Sequence, residues 1–304
     1  MAINEKIIPF FEMLVGIAGS GKSTYAIQRR TFLIEKMGLE CEIVSSDDLR
    51  EEVWGSASDQ RDPGFIFSTM VKRTREYLSK GISVIFDACN VQEKWRRQTL
   101  NRLSDIDCHR ECVVFIERPN VCVERQSMRS RRVPDYVIWR QVCQFQMPHE
   151  SEGWDVIDVH CNPYDSTELE TILLPVKDFD QRNPHHSCTL DKHLVLASDY
   201  ACGHKFDNSV IQAALFHDIG KIFTRTFDEN GIAHYYNHEN VSAYYFFLLS
   251  GNIWWYGKEI AWLINHHMDF FKGQSYMDKL KKKINDDELF SKLEQLHKCD
   301  LAAH

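Results

Sequence analysis

The stretch Gly16–Thr24, GIAGSGKST, decides how the first half of the chain is read. It follows the apolar run Met13, Leu14, Val15 and precedes a helix-periodic segment from Tyr25 to Met37. The G-x-x-x-x-G-K-[ST] spacing therefore falls between a strand and a helix, the setting a phosphate-binding loop requires. Gly16, Gly19 and Gly21, with Ser20 among them, let backbone N–H groups curl around a triphosphate, and the helix N-terminus adds positive potential. Lys22 is expected to reach the β- and γ-phosphates, Ser23 to ligate Mg²⁺, and Thr24 to complete the loop. The expected cofactor is ATP with Mg²⁺.

Size and composition bound the rest. At 304 residues two domains are expected, each long enough for its own core. Hydrophobic content of 43% beside 26% charged residues is that of a globular chain. Thirty-six basic against 44 acidic residues give a net charge of −8, which argues against indiscriminate coating of nucleic acid but allows a local basic groove. The 10 cysteines form no C-x-x-C pair, so neither a disulfide framework nor a zinc ribbon is expected. No signal peptide or membrane-length apolar run is read, so a cytoplasmic location with no membrane partner is expected.

Downstream of the loop, Gly38 suits the end of the helix, and Cys41 to Ser45 reads as a short strand. SSDDLRE follows it, at the strand end where α/β folds place their chemistry. Of Asp47 and Asp48, one is expected to cap the helix starting at Leu49 and the other to face the nucleotide. A helix from about Pro63 to Lys80 leads to Ile82–Phe86, an apolar run typical of a strand buried on both faces. It ends in Asp87, placed like a Walker-B residue, with capping of the next helix as the alternative. Cys112–Ile116 makes another strand. RPNVCVERQSMRSRRVP is the most basic stretch: Pro119 opens a helix and Pro134 stops it. Arg125 and Arg129, four apart, then share one face as a pair of phosphate-matching guanidiniums. A last strand is read over Glu152–His160, and Cys161–Pro184 reads as a junction.

From about Gln181 histidines become frequent and the periodicity helical. His193, His217 with Asp218 in HDIGK, His238, His266, His267 and Asp300 each fall within or beside an expected helix. Zinc-finger spacing does not occur, but side chains from several helices can converge on a buried metal centre. The mixed N/O set suits one or two ions of Mn, Fe, Co or Ni, with Zn also compatible. Thr224–Tyr235, with DENG between two β-prone runs, suggests a small hairpin, and His185 and His186 read as loop residues.

The phosphate loop, SSDDLR, FDACN and ERQSMRSRRVP, in that order, resemble the bacteriophage-type 5′-hydroxyl polynucleotide kinases and their P-loop relatives. The resemblance implies that Asp47 is the general base, that Arg50 holds an acceptor phosphate, and that Arg125 and Arg129 form a lid over the ATP phosphates. The second half resembles HD-superfamily phosphohydrolases, and QRNPHHSCTLDKHLVLA is similar to HD domains attached to tRNA nucleotidyltransferases. That implies a core metal site of His193, His217, Asp218 and Asp300, and a second metal held by His238 and His266 or His267. Lys221 would hold a substrate phosphate. A metal pair activates water and holds both oxygens of an in-line displacement at phosphorus.

The expected architecture is an α/β P-loop kinase domain over 1–165, a parallel sheet flanked by helices, followed by an all-α HD-domain helical bundle over 178–304. Joined in one chain, the two modules resemble bacterial end-healing enzymes of the kinase–HD type. Their expected partners are RNA or DNA ends and a downstream RNA ligase. The competing readings are an ATP-binding switch that regulates the HD hydrolase, and a small-molecule kinase fused to a nucleotidase.

Overall fold

The computed structural model describes residues 8–184, 187–250 and 254–303, with side chains from 257 onward in the last segment. His185 and His186 lie outside the described residues. The chain forms two compact units: Met1–Ile138 with Glu152–His160, and Trp139–Ser151 with Cys161–His304.

The first unit is built on a five-stranded sheet. In chain order its elements are β1 (Phe10–Gly16), α1 (Lys22–Met37), β2 (Cys41–Ser45), α2 (Ser46–Trp54), α3 (Pro63–Leu78), β3 (Ser83–Asp87), α4 (Glu93–Arg102), β4 (His109–Ile116), α5 (Pro119–Ser127), α6 (Asp135–Val142) and β5 (Val156–Cys161). The strand order is β2-β3-β1-β4-β5, with β1 parallel to β3 and β4, and β2 parallel to β3. β1 (FFEMLVG) is buried from Phe11 onward, as a central parallel strand covered on both faces must be. Leu14 packs with Ala26, Leu33, Ile85 and Val113, so α1 covers one face of the sheet.

Register does the positioning. Leu14 pairs with Asp87, and Ser45 pairs with the same Asp87, so three strands finish level. The phosphate loop after β1, α2 after β2 and Asp87 on β3 therefore share one sheet edge. A buried ion pair closes the unit: Arg96 donates to both carboxylate oxygens of Glu152, at 2.8 and 2.7 Å, with both side chains almost fully enclosed.

The second unit is helical: α7 (Ser166–Leu173), α8 (Leu190–Gly203), α9 (Asn208–Phe216), α10 (Lys221–Thr224), α11 (His238–Ser250), α12 (Trp254–His266), α13 (Gln274–Ile284) and α14 (Asp287–Ala302). A hairpin of β6 (Thr226–Phe227) and β7 (Ala233–His234) turns through the DENG residues. α11 is apolar nearly all round and correspondingly buried, which makes it the core of this unit. The segment 143–147 is tied to it by side chains: the Asn240 amide donates to the Cys143 carbonyl, and Asn265 bonds the backbone of Phe145 and Met147. Within the stretch read as a junction, α7 starts at a capping box formed by Asp165 and Glu168.

Candidate functional sites

At the sheet edge the loop runs from Gly16 into α1, with Gly21 as its N-cap. Gly19 has φ +89°, and a Cβ there would stand 2.7 Å from the Cys122 carbonyl oxygen, so α5 closes on the loop only because this residue is glycine. The buried Lys22 ammonium donates to the carbonyls of Gly16 and Ile17, both at 2.8 Å. Ser23 Oγ donates to Asp87 Oδ2 at 2.7 Å, joining the two groups expected at a Mg²⁺. Burial pushes the Asp87 carboxyl above its ordinary range; Lys22 and Ser23 pull it back, while the charges of Asp47 and Asp48 add to the rise. The Asp87 carboxylate beside Ser23 suits a divalent cation accompanying a triphosphate. The buried Ser20 hydroxyl lacks a hydrogen-bond partner.

Several expectations are corrected here. Neither Asp47 nor Asp48 caps α2: the cap is Ser45, whose Oγ accepts from the Asp48 backbone N–H at 3.3 Å. Asp87 does not cap α4, whose N-cap is Gln92. The basic helix α5 ends at Ser127 rather than continuing to Pro134. Arg129 therefore lies beyond it, exposed, and shares no helical face with Arg125. Arg125 itself reaches back to the loop, donating to the Gly19 carbonyl at 3.1 Å and pairing with buried Glu117 at 2.9 Å.

Asp47 stands between two arginines: Oδ1 accepts from Arg50 at 2.9 Å and Oδ2 pairs with Arg131 at 2.6 Å. Burial holds the Arg50 guanidinium below its ordinary value; Asp47 opposes that shift and the charge of Arg131 adds to it. Arg131 was not singled out by sequence reasoning. The signal was present in the run RSRR, but only the end of α5 at Ser127 tells which arginine turns inward.

In the helical unit two ligand sets share one carboxylate. His193, His217, Asp218 and Asp300 bring donor atoms together, and so do Asp218, His238 and His267. Asp218 Oδ2 lies 3.4 Å from His193 Nε2 and 3.5 Å from His217 Nε2, while its Oδ1 lies 3.0 and 3.5 Å from the Nε2 atoms of His238 and His267. Asp300 Oδ1 closes the first set, at 3.2 Å from His193 and 3.4 Å from His217. The helices explain the convergence: α8 carries His193, His217 caps α9, His238 opens α11, and α14 carries Asp300.

The other ring nitrogens fit this set to a cation. Nδ1 of His193, His217, His238 and His267 lies 2.9, 2.8, 2.6 and 2.7 Å from the carbonyls of Ala303, Ala214, Tyr235 and Ile264. Carbonyls only accept, so each Nδ1 carries the proton and each Nε2 presents a lone pair inward. Those lone pairs meet: His193 and His217 Nε2 are 3.2 Å apart, and His238 and His267 Nε2 are 3.3 Å apart. Such pairs repel unless a positive charge lies between them. Burial alone would hold His193 down, yet Asp218 and Asp300 raise it to about 10, so with no cation between the ligands the carboxylates draw a proton onto the Nε2 that would otherwise face a metal. Burial would likewise raise Asp218, but Lys221 and His217 hold it well below the usual range. The pocket fits one or two metal ions with a mixed nitrogen and oxygen set.

His266, left open beside His267, is not brought into either set. Its Nδ1 lies 2.6 Å from Asp269 Oδ2, and its ring packs on Trp262. Lys221 is buried, with its ammonium 2.6 Å from Asp218 Oδ2 and donating to Gln181 Oε1 at 2.9 Å. Gly220 explains part of the HDIGK pattern: a Cβ there would stand 2.3 Å from the His238 carbonyl oxygen, so only glycine lets α11 pass this close. No described helix is long and apolar enough to cross a membrane.

Comparison with known proteins finds one family in each half of the chain. Residues 12–148 match the AAA domain family, and residues 191–298 match the HD domain family. L-seryl-tRNA(Sec) kinase of Methanococcus maripaludis is 24% identical over 172 residues, 56% of this chain and 65% of that protein. The chain thus spans just under two thirds of the length of the curated relative it matches. Among solved structures, a chain of the Pnkp1/Rnl/Hen1 RNA repair complex overlaps with 22% identity and a TM-score of 0.40, over 47% of this chain and 46% of that one. A gluconokinase from Sinorhizobium meliloti overlaps with 16% identity and a TM-score of 0.36, over 53% of this chain and 87% of that one. The chain joins a P-loop domain similar to AAA domains to a helical domain similar to HD domains.

Proposed function

We propose that this protein heals broken nucleic-acid ends, RNA foremost: its first unit phosphorylates a 5′-hydroxyl with ATP, and its second removes a 2′,3′-cyclic or terminal phosphate. The observation that carries the reading is a carboxylate, Asp47, held by Arg50 on the acceptor side of a phosphate loop, in a chain that also builds a pocket bridged by Asp218. An ATP-binding switch has no use for a carboxylate placed to accept an acceptor proton. The match to a kinase named for a tRNA substrate supports an RNA-borne acceptor.

In this mechanism Asp47 takes the proton of the acceptor O5′–H as that oxygen attacks the γ-phosphorus of ATP. The bond from the γ-phosphorus to the bridging oxygen breaks, and ADP leaves. Lys22 exchanges its two carbonyl partners for phosphate oxygens, and Arg125 adds positive charge where it develops on the transferring group. Ser23 and Asp87 would hold the Mg²⁺ that accompanies ATP, which would supply neutralising charge to the phosphates. In the HD unit His193, His217, Asp218 and Asp300 would hold one metal, and His238, His267 and Asp218 would hold a second; metal bound there would supply an activated water for attack at phosphorus. The carbonyls behind each imidazole fix its tautomer, and Lys221 fixes the bridging carboxylate with Gln181 behind it.

The test is an RNA carrying a 5′-hydroxyl and a 2′,3′-cyclic phosphate, incubated with γ-labelled ATP and a divalent transition metal. Label at the 5′ end and a freed 3′ end are the expected products. A second acceptor follows from the relative's name: label on the serine of a seryl-tRNA, with none on 5′-hydroxyl RNA, would transfer the kinase assignment to that substrate.

A further inference from the structure

Both oxygens of Asp47 are engaged, one by Arg50 and one by Arg131. Two neighbouring guanidiniums lower a carboxylate's affinity for a proton, so release of one of them makes Asp47 the better acceptor for the proton of an incoming hydroxyl. The two arginines differ in how firmly they are held. Arg50 sits on α2 three residues from Asp47, its side chain 13% exposed, and donates as well to the Ser46 carbonyl at 3.2 Å. Its Nε–H is buried with no acceptor. Arg131 sits on the irregular run between α5 and α6, and its Nε donates to the exposed Ser58 hydroxyl at 3.1 Å. The ends of that run are fixed: the buried Gln126 side chain accepts from the Val133 N–H at 3.3 Å, and Arg125 is tied to the phosphate loop. Arg131 is thus the partner that can move without unfolding a helix.

Resting on the end-healing reading, we propose that Arg131 is an acceptor-recognition residue that guards Asp47. It holds the carboxylate until an acceptor bearing a phosphodiester next to its 5′-hydroxyl nucleoside draws the guanidinium away. A phosphate offers a guanidinium two oxygens in the same fork geometry as a carboxylate, so the exchange keeps its hydrogen bonds and frees an Asp47 oxygen for the hydroxyl. Arg50, with an unused buried donor beside the same spot, completes the clamp. Arg131 keeps its protons throughout. The arrangement selects for a strand end over a free nucleoside, because only the strand brings the charge that opens the guard.

The experiment compares three acceptors in the full-length protein: a nucleoside, a nucleoside 3′-phosphate and a dinucleotide, each with a 5′-hydroxyl. Steady-state rates are measured for wild type, Arg131→Ala and Arg131→Lys. For Arg131→Ala the KM of the two phosphate-bearing acceptors should rise by roughly 10- to 100-fold, the loss of one charge-assisted hydrogen bond. The kcat/KM of the bare nucleoside should stay level or rise, since its guard is gone. Arg131→Lys should recover part of the phosphate preference, and the KM for ATP should hold in every variant. If Arg131→Ala lowers all three acceptors equally, or leaves the preference for phosphate intact, the guard is overturned while the kinase assignment stands. If wild type labels no 5′-hydroxyl acceptor at all, both fall together.

Discussion

At the sheet edge Lys22 spends its charge on two loop carbonyls, Ser23 on Asp87, and Asp47 on two arginines. These groups are already bonded to other groups of the same site. In the HD pocket the bonding runs outward. Four imidazoles are held from behind by backbone carbonyls, and what faces inward is a set of lone pairs and carboxylate oxygens 3.0–3.5 Å apart. Under the proposed function, the first arrangement suits a site whose metal and phosphates arrive together, and the second suits a site built around a resident cation. Substitutions and chelators should therefore act on the two differently.

The largest effects test that separation. Lys22→Ala should abolish phosphoryl transfer and leave the hydrolase at its wild-type rate, and Asp218→Asn should do the reverse with loss of bound metal. Both are read from the double-ended RNA, with metal content measured in parallel. Chelation should silence the hydrolase until a first-row transition metal is returned, while kinase activity needs only Mg²⁺ supplied with ATP. If Asp218→Asn, in a protein that keeps its helical content, stopped kinase turnover, the two sites would be coupled and a regulatory reading would displace the end-healing one.

A smaller effect bears on the bonded state of the kinase edge. Asp47→Asn should lower the kinase rate by about 10²–10⁴-fold, the usual contribution of a positioned base. Binding of ATP, followed by nucleotide fluorescence, should change little, because Asp47 touches arginines and not the loop. A wild-type rate from this variant would remove the base role from Asp47 and with it the meaning of its two arginine partners.

The same contrast governs what could be read from the sequence. The phosphate loop is contiguous, so GIAGSGKST pointed to its fold and to a triphosphate ligand, and Asp87 was legible as the residue that ends the apolar run Ile82–Phe86. The dispersed histidines announced a metal centre because residue type alone limits what they do together. What stayed hidden depended on where helices end. α5 stops at Ser127, seven residues before Pro134, and that moved the inward role from Arg129 to Arg131. Four polar residues in SSDDLR can each cap a helix, and the register of β2 with β3 put Ser45 at that position. For His266 and His267 the choice turned on a change of helical pitch: α12 ends at the first and a 3₁₀ turn begins at the second, so adjacent side chains point to different partners.

That last choice gives the smallest expected effect and tests it cleanly. His267→Asn should reduce bound metal and hydrolase activity, since it removes a lone pair facing Asp218. His266→Asn should keep both within about threefold, because His266 contacts Asp269 and Trp262 and reaches neither ligand set. Its effect should appear in the pH dependence of stability. Burial alone would raise the Asp269 carboxyl, but His266 and Lys272 hold it below the ordinary range. A carboxylate whose folded value is depressed stabilises the fold above its unfolded value of about 4, and that contribution is lost as pH falls through the lower folded value. Removing His266 returns Asp269 toward its unfolded value and so shrinks the contribution at neutral pH. Denaturant midpoints for His266→Asn should fall below wild type at pH 7 and converge with it as pH falls through the depressed folded value of Asp269. If instead the midpoints match at every pH while metal content drops, His266 is a ligand after all, and the pocket has a different second set from the one bridged by Asp218.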